Sequence, residues 1–143
     1  MIQSKALGEY GEKVAQFFLS KIGYLILEKN YKCKFGEVDL IARTNNLIIF
    51  VEVKTRSNLS YGYPEESIEY FKIQKIKNIA NYFSTRKNLE SFDIRFDVIS
   101  IRLDIKHEDY KNTDFSIVED FFKDNNLTKI KDRFHLRHII NAF

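Results

Sequence analysis

The chain has 143 residues, 44% apolar and 30% charged, with a formal net charge of +3: an ordinary soluble composition, long enough for one domain with its own core. A single cysteine, Cys33, excludes an internal disulfide and any cysteine-rich zinc site, and it points to a reducing cytoplasm. The start lacks the basic-then-apolar pattern of a signal peptide, and no apolar run approaches the roughly 20 residues of a membrane span, so no membrane partner is expected.

Residues 4–22 place Ala6, Leu7, Tyr10, Val14, Phe17, Phe18 and Ile22 at the spacing of an amphipathic helix. Ser4 suits its N-cap and Gly23 its stop. Three strands follow, at 24–32, 36–43 and 47–56. Asn45 and Asn46 form the tight turn of an antiparallel hairpin, because asparagine tolerates positive φ. After a loop at 57–64, a second helix is predicted over 65–87, its acidic start and basic end complementing the macrodipole. Between Lys72 and Lys87 it holds five basic residues and no acidic one, a run that suits either a phosphate backbone or a solvated face. A fourth strand reads at 94–103, and 104–132 turns polar around one helical apolar patch at 115–122. Residues 134–143 fit either a short strand or a helical turn. With no repeat or linker, the pattern predicts a single α/β domain over 1–143, a mixed sheet flanked by helices in the order α-β-β-β-α-β.

The central hairpin raises a problem of charge. Side chains alternate along a strand at about 3.3 Å per residue, so Glu52 and Lys54 share a face about 6.6 Å apart. Pairing outward from the Asn45-Asn46 turn sets 44 opposite 47, 42 opposite 49 and 39 opposite 52. In that register Asp39 faces Glu52 with Cβ atoms about 5 Å apart. Opposed carboxylates destabilise a sheet, and burial sharpens the cost. Either an ion network with Lys54 on a solvated face compensates them, or a divalent cation does. Mg²⁺ accepts one or two carboxylates together with water and phosphate oxygens.

These residues also carry a resemblance. Asp39 followed at a distance by Glu52-Val53-Lys54 resembles the PD-(D/E)xK signature of restriction-endonuclease-like nucleases. The motifs "GEYGEKVA" (8–15), "GEVDLIA" (36–42), "FVEVKTR" (50–56), "YPEESIEYFK" (63–72), "RFDVIS" (95–100) and "NAF" (141–143) together resemble the YraN family, itself distantly similar to archaeal Holliday-junction resolvases. The resemblance covers most of residues 6–103 and the extreme end; Val38 stands where the signature has proline, and 104–132 reads as a family-variable insertion. It implies the restriction-endonuclease-like fold and a catalytic set of Asp39, Glu52 and Lys54 completed by Glu12. Asp39 and Glu52 would be the ligands of Mg²⁺ or Mn²⁺. At 100° per residue Glu12 lies near Gly8, Ala15 and Leu19, beside the apolar stripe of the first helix, whereas Glu9 lies on another side.

The implied activity is metal-dependent endonuclease hydrolysis of DNA, including branched or structured DNA. The competing reading is a catalytically inactive nucleic-acid-binding module of the same fold. The analogy with junction resolvases allows a homodimer. Three cations are candidates for nucleic-acid contact. Lys72 falls on the core-facing stripe with Ile68, Ile76, Ile79 and Phe83, where a lysine must snorkel or meet buried carboxylates. Lys75 suits phosphate or solvent, and Arg56 phosphate or a salt bridge. Tyr61 and Tyr63 either stack on bases or cover core. Arg95 and Asp97 share a strand face, as an ion pair would. The histidines show no metal-ligand spacing, and Cys33 reads as inert.

Overall fold

A computed structural model describes residues 4–56, 70–102 and 135–142. Its elements are α1 (Ser4–Lys21), β1 (Leu25–Cys33), β2 (Gly36–Thr44), β3 (Leu47–Arg56), α2 (Tyr70–Arg86), β4 (Asp93–Arg102) and β5 (His135–Ile139). The strands form one mixed sheet in the order β1-β2-β3-β4-β5. Neighbours are antiparallel except β3 and β4, which are parallel with α2 in the connection between them, as parallel pairing requires. The α/β order expected from the sequence is therefore the order found. The ambiguous terminal segment is a strand, because 135–139 has the free edge of β4 to pair with. The acidic start at 65–66, the tyrosines at 61 and 63 and the patch at 115–122 lie outside the described residues.

Local signals set the boundaries. Gly23 adopts φ 103° and ends α1, while Tyr24 N–H donates back to Leu19 C=O at 2.9 Å, closing the helix with a left-handed cap. Asn45 takes φ 50° at the β2–β3 turn. One sheet face lays Leu40, Ala42, Ile49, Val51, Ile99 and Ile101 against Val14, Ala15, Phe18 and Leu19 of α1. The other lays Ile41, Ile48 and Phe50 against Ile76, Ile79, Ala80 and Phe83 of α2, with half-buried Cys33 at the margin. The result is a three-layer α/β/α arrangement. No helix among the described residues is long and apolar enough to cross a membrane.

The close approach of α1 to the sheet comes at Gly11, not at Gly8 beside Glu12. A Cβ added at Gly8 meets nothing within 4 Å, whereas one at Gly11 would collide with Thr55 Oγ1 on β3 and lie 3.2 Å from Thr55 Cβ. Gly11 is thus the point where helix backbone rests on the strand that carries Glu52 and Lys54.

Asp97 ties the chain end to the sheet. It is fully buried on β4, and its carboxylate accepts four hydrogen bonds: Arg95 Nε at 2.8 Å and Nη2 at 2.7 Å, His138 Nε2 at 2.8 Å, and Asn141 N–H at 3.0 Å. Arg95 Nη2 also donates to Tyr24 Oη at 2.8 Å, which ties the end of α1 into the same network. The expected Arg95–Asp97 pair is present, and the partnership with His138 had no sequence signal. Burial pushes Asp97 up, but the bonds from His138, Arg95 and Asn141 outweigh it and hold the carboxyl at about 2.

Asp97→Ala, which removes the carboxylate shared by half-buried Arg95, His138 and Asn141 N–H, should cost about 2–4 kcal/mol in urea denaturation at pH 7. Because the folded pKa of Asp97 lies below the unfolded 3.8, its stabilisation is complete above that value and is lost as pH falls through about 2; Asp97→Asn should flatten the stability profile there. In α1, Gly11→Ala should destabilise by about 1–3 kcal/mol through overpacking, with partial rescue by Thr55→Ala. Gly8→Ala should instead gain up to about 1 kcal/mol of helix propensity.

Candidate active site

The site begins where the sheet divides. From the Asn45-Asn46 turn, β2 and β3 pair regularly from Thr44–Leu47 to Leu40–Val51 and no further. Beyond that point β2 stays with β1 as far as Gly36–Cys33, while β3 stays with β4 as far as Arg56–Arg102. The expected ladder pair of Asp39 with Glu52 therefore does not form. The hairpin splays one residue earlier, and Val53 N–H loses its ladder acceptor. Asp39 Oδ2 takes that place, accepting from Val53 N–H at 2.8 Å, so a side chain repairs the backbone bond that the splay breaks.

The repair brings the two acids together. The Asp39 and Glu52 side chains now line one pocket, close enough for the charge on Asp39 to disfavour ionisation of Glu52. Burial, then the neighbouring Asp39 charge, pushes Glu52 up to about 7, and burial raises Asp39 as well. Lys54 Nζ lies 4.0 Å from Glu52 Oε2, with each side chain 17% exposed. Burial, then the Lys72 ammonium lying against it, lowers the Lys54 pKa. Glu37, Asp39, Glu52, Lys72, Lys75 and Ile76 line an open pocket of about 160 Å³. Two cations thus descend from α2 onto two acids at the fork of the sheet.

Among the described residues no group of three or more His, Cys, Asp or Glu side chains is arranged to hold a metal ion. The donor set is the Asp39–Glu52 pair. It fits a small hard cation: two carboxylates on one pocket wall are the oxygen ligands Mg²⁺ prefers, with water completing its shell. A divalent charge would offset their mutual repulsion.

A family profile described as "Uncharacterised protein family UPF0102" matches residues 11–101. The chain belongs to this family. It is 48% identical over 102 residues to a UPF0102 protein of Caldanaerobacter subterraneus subsp. tengcongensis, covering 71% of this chain and 84% of that one. A UPF0102 protein of Clostridioides difficile is 49% identical over 102 residues, with 71% and 90% covered. One from Clostridium acetobutylicum is 42% identical over 120 residues, with 84% and 96% covered. The profile spans Glu12, Asp39, Glu52, Lys54, Arg56, Lys72 and Lys75 of this UPF0102 chain.

The fold converges most of these residues. Lys72 meets the carboxylates, and its charge lowers the Glu52 pKa. Lys75 lines the pocket and lays its stem over Gly36, where φ is 128°. Arg56 is half-buried at the far end of β3 and is not a pocket residue. Glu12 comes from α1, on the other side of the sheet. It hydrogen bonds Asn30, itself at φ 50°, and its pKa is raised by burial and then by the Asp39 charge. It senses the acidic pair without lining the pocket. Glu9 is exposed, as expected. Asn30 had no signal in the sequence, since nothing in a strand pattern links it to a helix 18 positions earlier.

Glu52 of this UPF0102 site has a folded-state pKa above its ordinary 4.5. It therefore leaves the fold at full stability below 4.5 and withdraws stability as pH rises through about 7. In metal-free buffer Glu52→Gln should raise the unfolding free energy at pH 8 by on the order of 1–3 kcal/mol and leave it nearly unchanged at pH 4.5. Urea denaturation at the two pH values measures the difference.

Proposed function

We propose that this UPF0102 chain is a divalent-cation-dependent endonuclease that hydrolyses phosphodiester bonds of DNA, branched or otherwise structured DNA included. The observation that carries this reading is the convergence of Asp39, Glu52, Lys72 and Lys75 on one pocket, with Lys54 Nζ 4.0 Å from Glu52 Oε2. A sheet tolerates such paired acids only at a cost, and perturbed acids beside a lysine in a cleft are the mark of a working site.

Asp39 and Glu52 would hold Mg²⁺ or Mn²⁺, which when bound supplies Lewis-acid polarisation of a phosphoryl oxygen and a more acidic water. The protein's own groups do the rest. Lys72 and Lys75 bind the phosphate and orient it over the acids. Lys54, its pKa lowered by burial, holds a proton at Nζ beside the attacking water and can exchange it as charge develops. Asp39 fixes the strand fork through Val53 N–H, so the acids and Lys54 keep their spacing. Glu12 is a positioning residue acting on Asp39 through its charge.

A second reading draws on the small donor set: because no group of three His, Cys, Asp or Glu side chains among the described residues is arranged to hold a metal ion, the chain would be a DNA-binding module of the same fold without hydrolysis. Its affinity would be salt-sensitive, and no metal-dependent product would form.

Incubating a labelled four-way junction and a linear duplex with wild type in Mg²⁺ or Mn²⁺ separates the two. Metal-dependent cleavage is expected, with losses of at least about 100-fold in Asp39→Ala, Glu52→Ala and Lys54→Ala. Equal rates in all four proteins would remove these residues from the chemistry. Calorimetric Mn²⁺ binding that Asp39→Ala abolishes would add direct support for the ligand pair.

A further inference from the structure

A second hollow, about 460 Å³, opens between the two-residue β1–β2 connection and the C-terminal half of α2. Its walls hold two rings, Phe35 and Tyr82, packed edge to face at 5.9 Å between centroids. Two cations cover them: Lys34 Nζ sits 5.3 Å from the Phe35 ring and 5.9 Å from the Tyr82 ring, and Arg86 lies 5.2 Å from Tyr82. Asn78 and Asn81 add exposed amides, and among the described residues no carboxylate lines the hollow.

The sequence of the turn is what a fold alone would not ask for. Gly36 supplies the positive φ of this turn, so positions 34 and 35 accept most residues and nothing in the backbone asks for an aromatic; yet Phe35 stands there, 39% exposed. A phenylalanine at a turn tip adds nothing to either core cluster. The adjoining Gly36, at φ 128° beneath the Lys75 stem, connects the turn to the acidic pocket. On α2, Lys75, Asn78, Tyr82 and Arg86 recur at spacings of three and four, so they form one stripe. Lys75 lines the acidic pocket and Tyr82 the hollow. Seven helical residues separate them by about 10 Å, or about three stacked base steps of 3.4 Å.

We propose that this hollow is a subsite for an unpaired nucleotide: the base stacks on the ring face that Phe35 or Tyr82 now gives to a cation, Lys34 and Arg86 take its flanking phosphates, and Asn78 and Asn81 meet the base edge. A base stacked on these rings replaces cations that rest on them in the free protein. The exchange is favourable because stacking on an aromatic ring is stronger than an exposed cation–π contact, and the displaced ammonium and guanidinium gain phosphate partners. The subsite rests on the nucleic-acid part of the reading above and not on hydrolysis. It gives that reading a substrate preference, for DNA with a frayed or single-stranded segment about three nucleotides from the bond at the acidic pocket.

Fluorescence anisotropy of the full chain in EDTA tests it, using a blunt duplex and the same duplex with a single-stranded tail carrying 2-aminopurine at its third position. Wild type should bind the tailed duplex at least tenfold more tightly and quench the 2-aminopurine. Phe35→Ala combined with Tyr82→Leu should abolish both effects while leaving blunt-duplex affinity within twofold. Phe35→Leu, at a turn tip outside both core clusters, should lose the quench by itself, and Arg86→Ala should reduce tail affinity with the quench retained. Equal wild-type affinity for the two duplexes, or a preference and quench that survive the ring substitutions, would overturn the subsite alone. Absence of binding to either duplex would overturn the nucleic-acid reading with it. Tail binding without metal-dependent cleavage in the presence of Mg²⁺ would overturn only hydrolysis.

Discussion

The hydrogen bond from Val53 N–H to the Asp39 carboxylate holds the centre of this molecule. It stands just past the last regular β2–β3 pair, Leu40–Val51, where β2 leaves with β1 and β3 leaves with β4. A sheet that forks exposes main-chain donors, and an unsatisfied donor at half-buried depth is expensive. Asp39 resolves that cost from inside the fork, and in doing so it is placed against Glu52. The cleft, the acidic pair and the approach of Lys72 and Lys75 from α2 all depend on this one substitution of side chain for ladder.

The two buried acids of the sheet show what neighbours decide. Asp97 and Glu52 both sit on central strands and both are driven upward by burial. Asp97 is surrounded by four donors, two of them from an arginine, and stays ionised at about 2. Glu52 faces another acid, and its lysine is 4.0 Å away, so it rises to about 7. One carboxylate is spent on fastening β5 and the chain end to the core. The other is left short of positive charge, which is the condition under which an added cation binds.

Much of this was legible in the residues. The helix and strand periods gave the α/β order, the Asn45-Asn46 turn fixed the hairpin register, and that register put Asp39 and Glu52 on one face. Lys72 was readable as a lysine on an apolar stripe with carboxylates nearby. Other features were not legible for identifiable reasons. The end of β2–β3 pairing depends on competition between two other strand pairs, which a single hairpin does not encode. The helix contact fell at Gly11 and not Gly8, because the rotation of α1 on the sheet is set by Thr55, 44 positions away. His138 and Asn30 each found partners far along the chain through packing alone.

Sequence by itself determined the kinds of element, their order, the face on which each charge lies and the membership of UPF0102 that those motifs carry. Tertiary structure decided how far the central strands stay paired, which carboxylate is neutralised and which is stranded, and that the rings of Phe35 and Tyr82 meet beneath two cations. The reason is one of range: periodicity and turn chemistry act over a few residues, whereas a pKa or a cleft is set by whatever distant groups the packed sheet brings within a few ångströms.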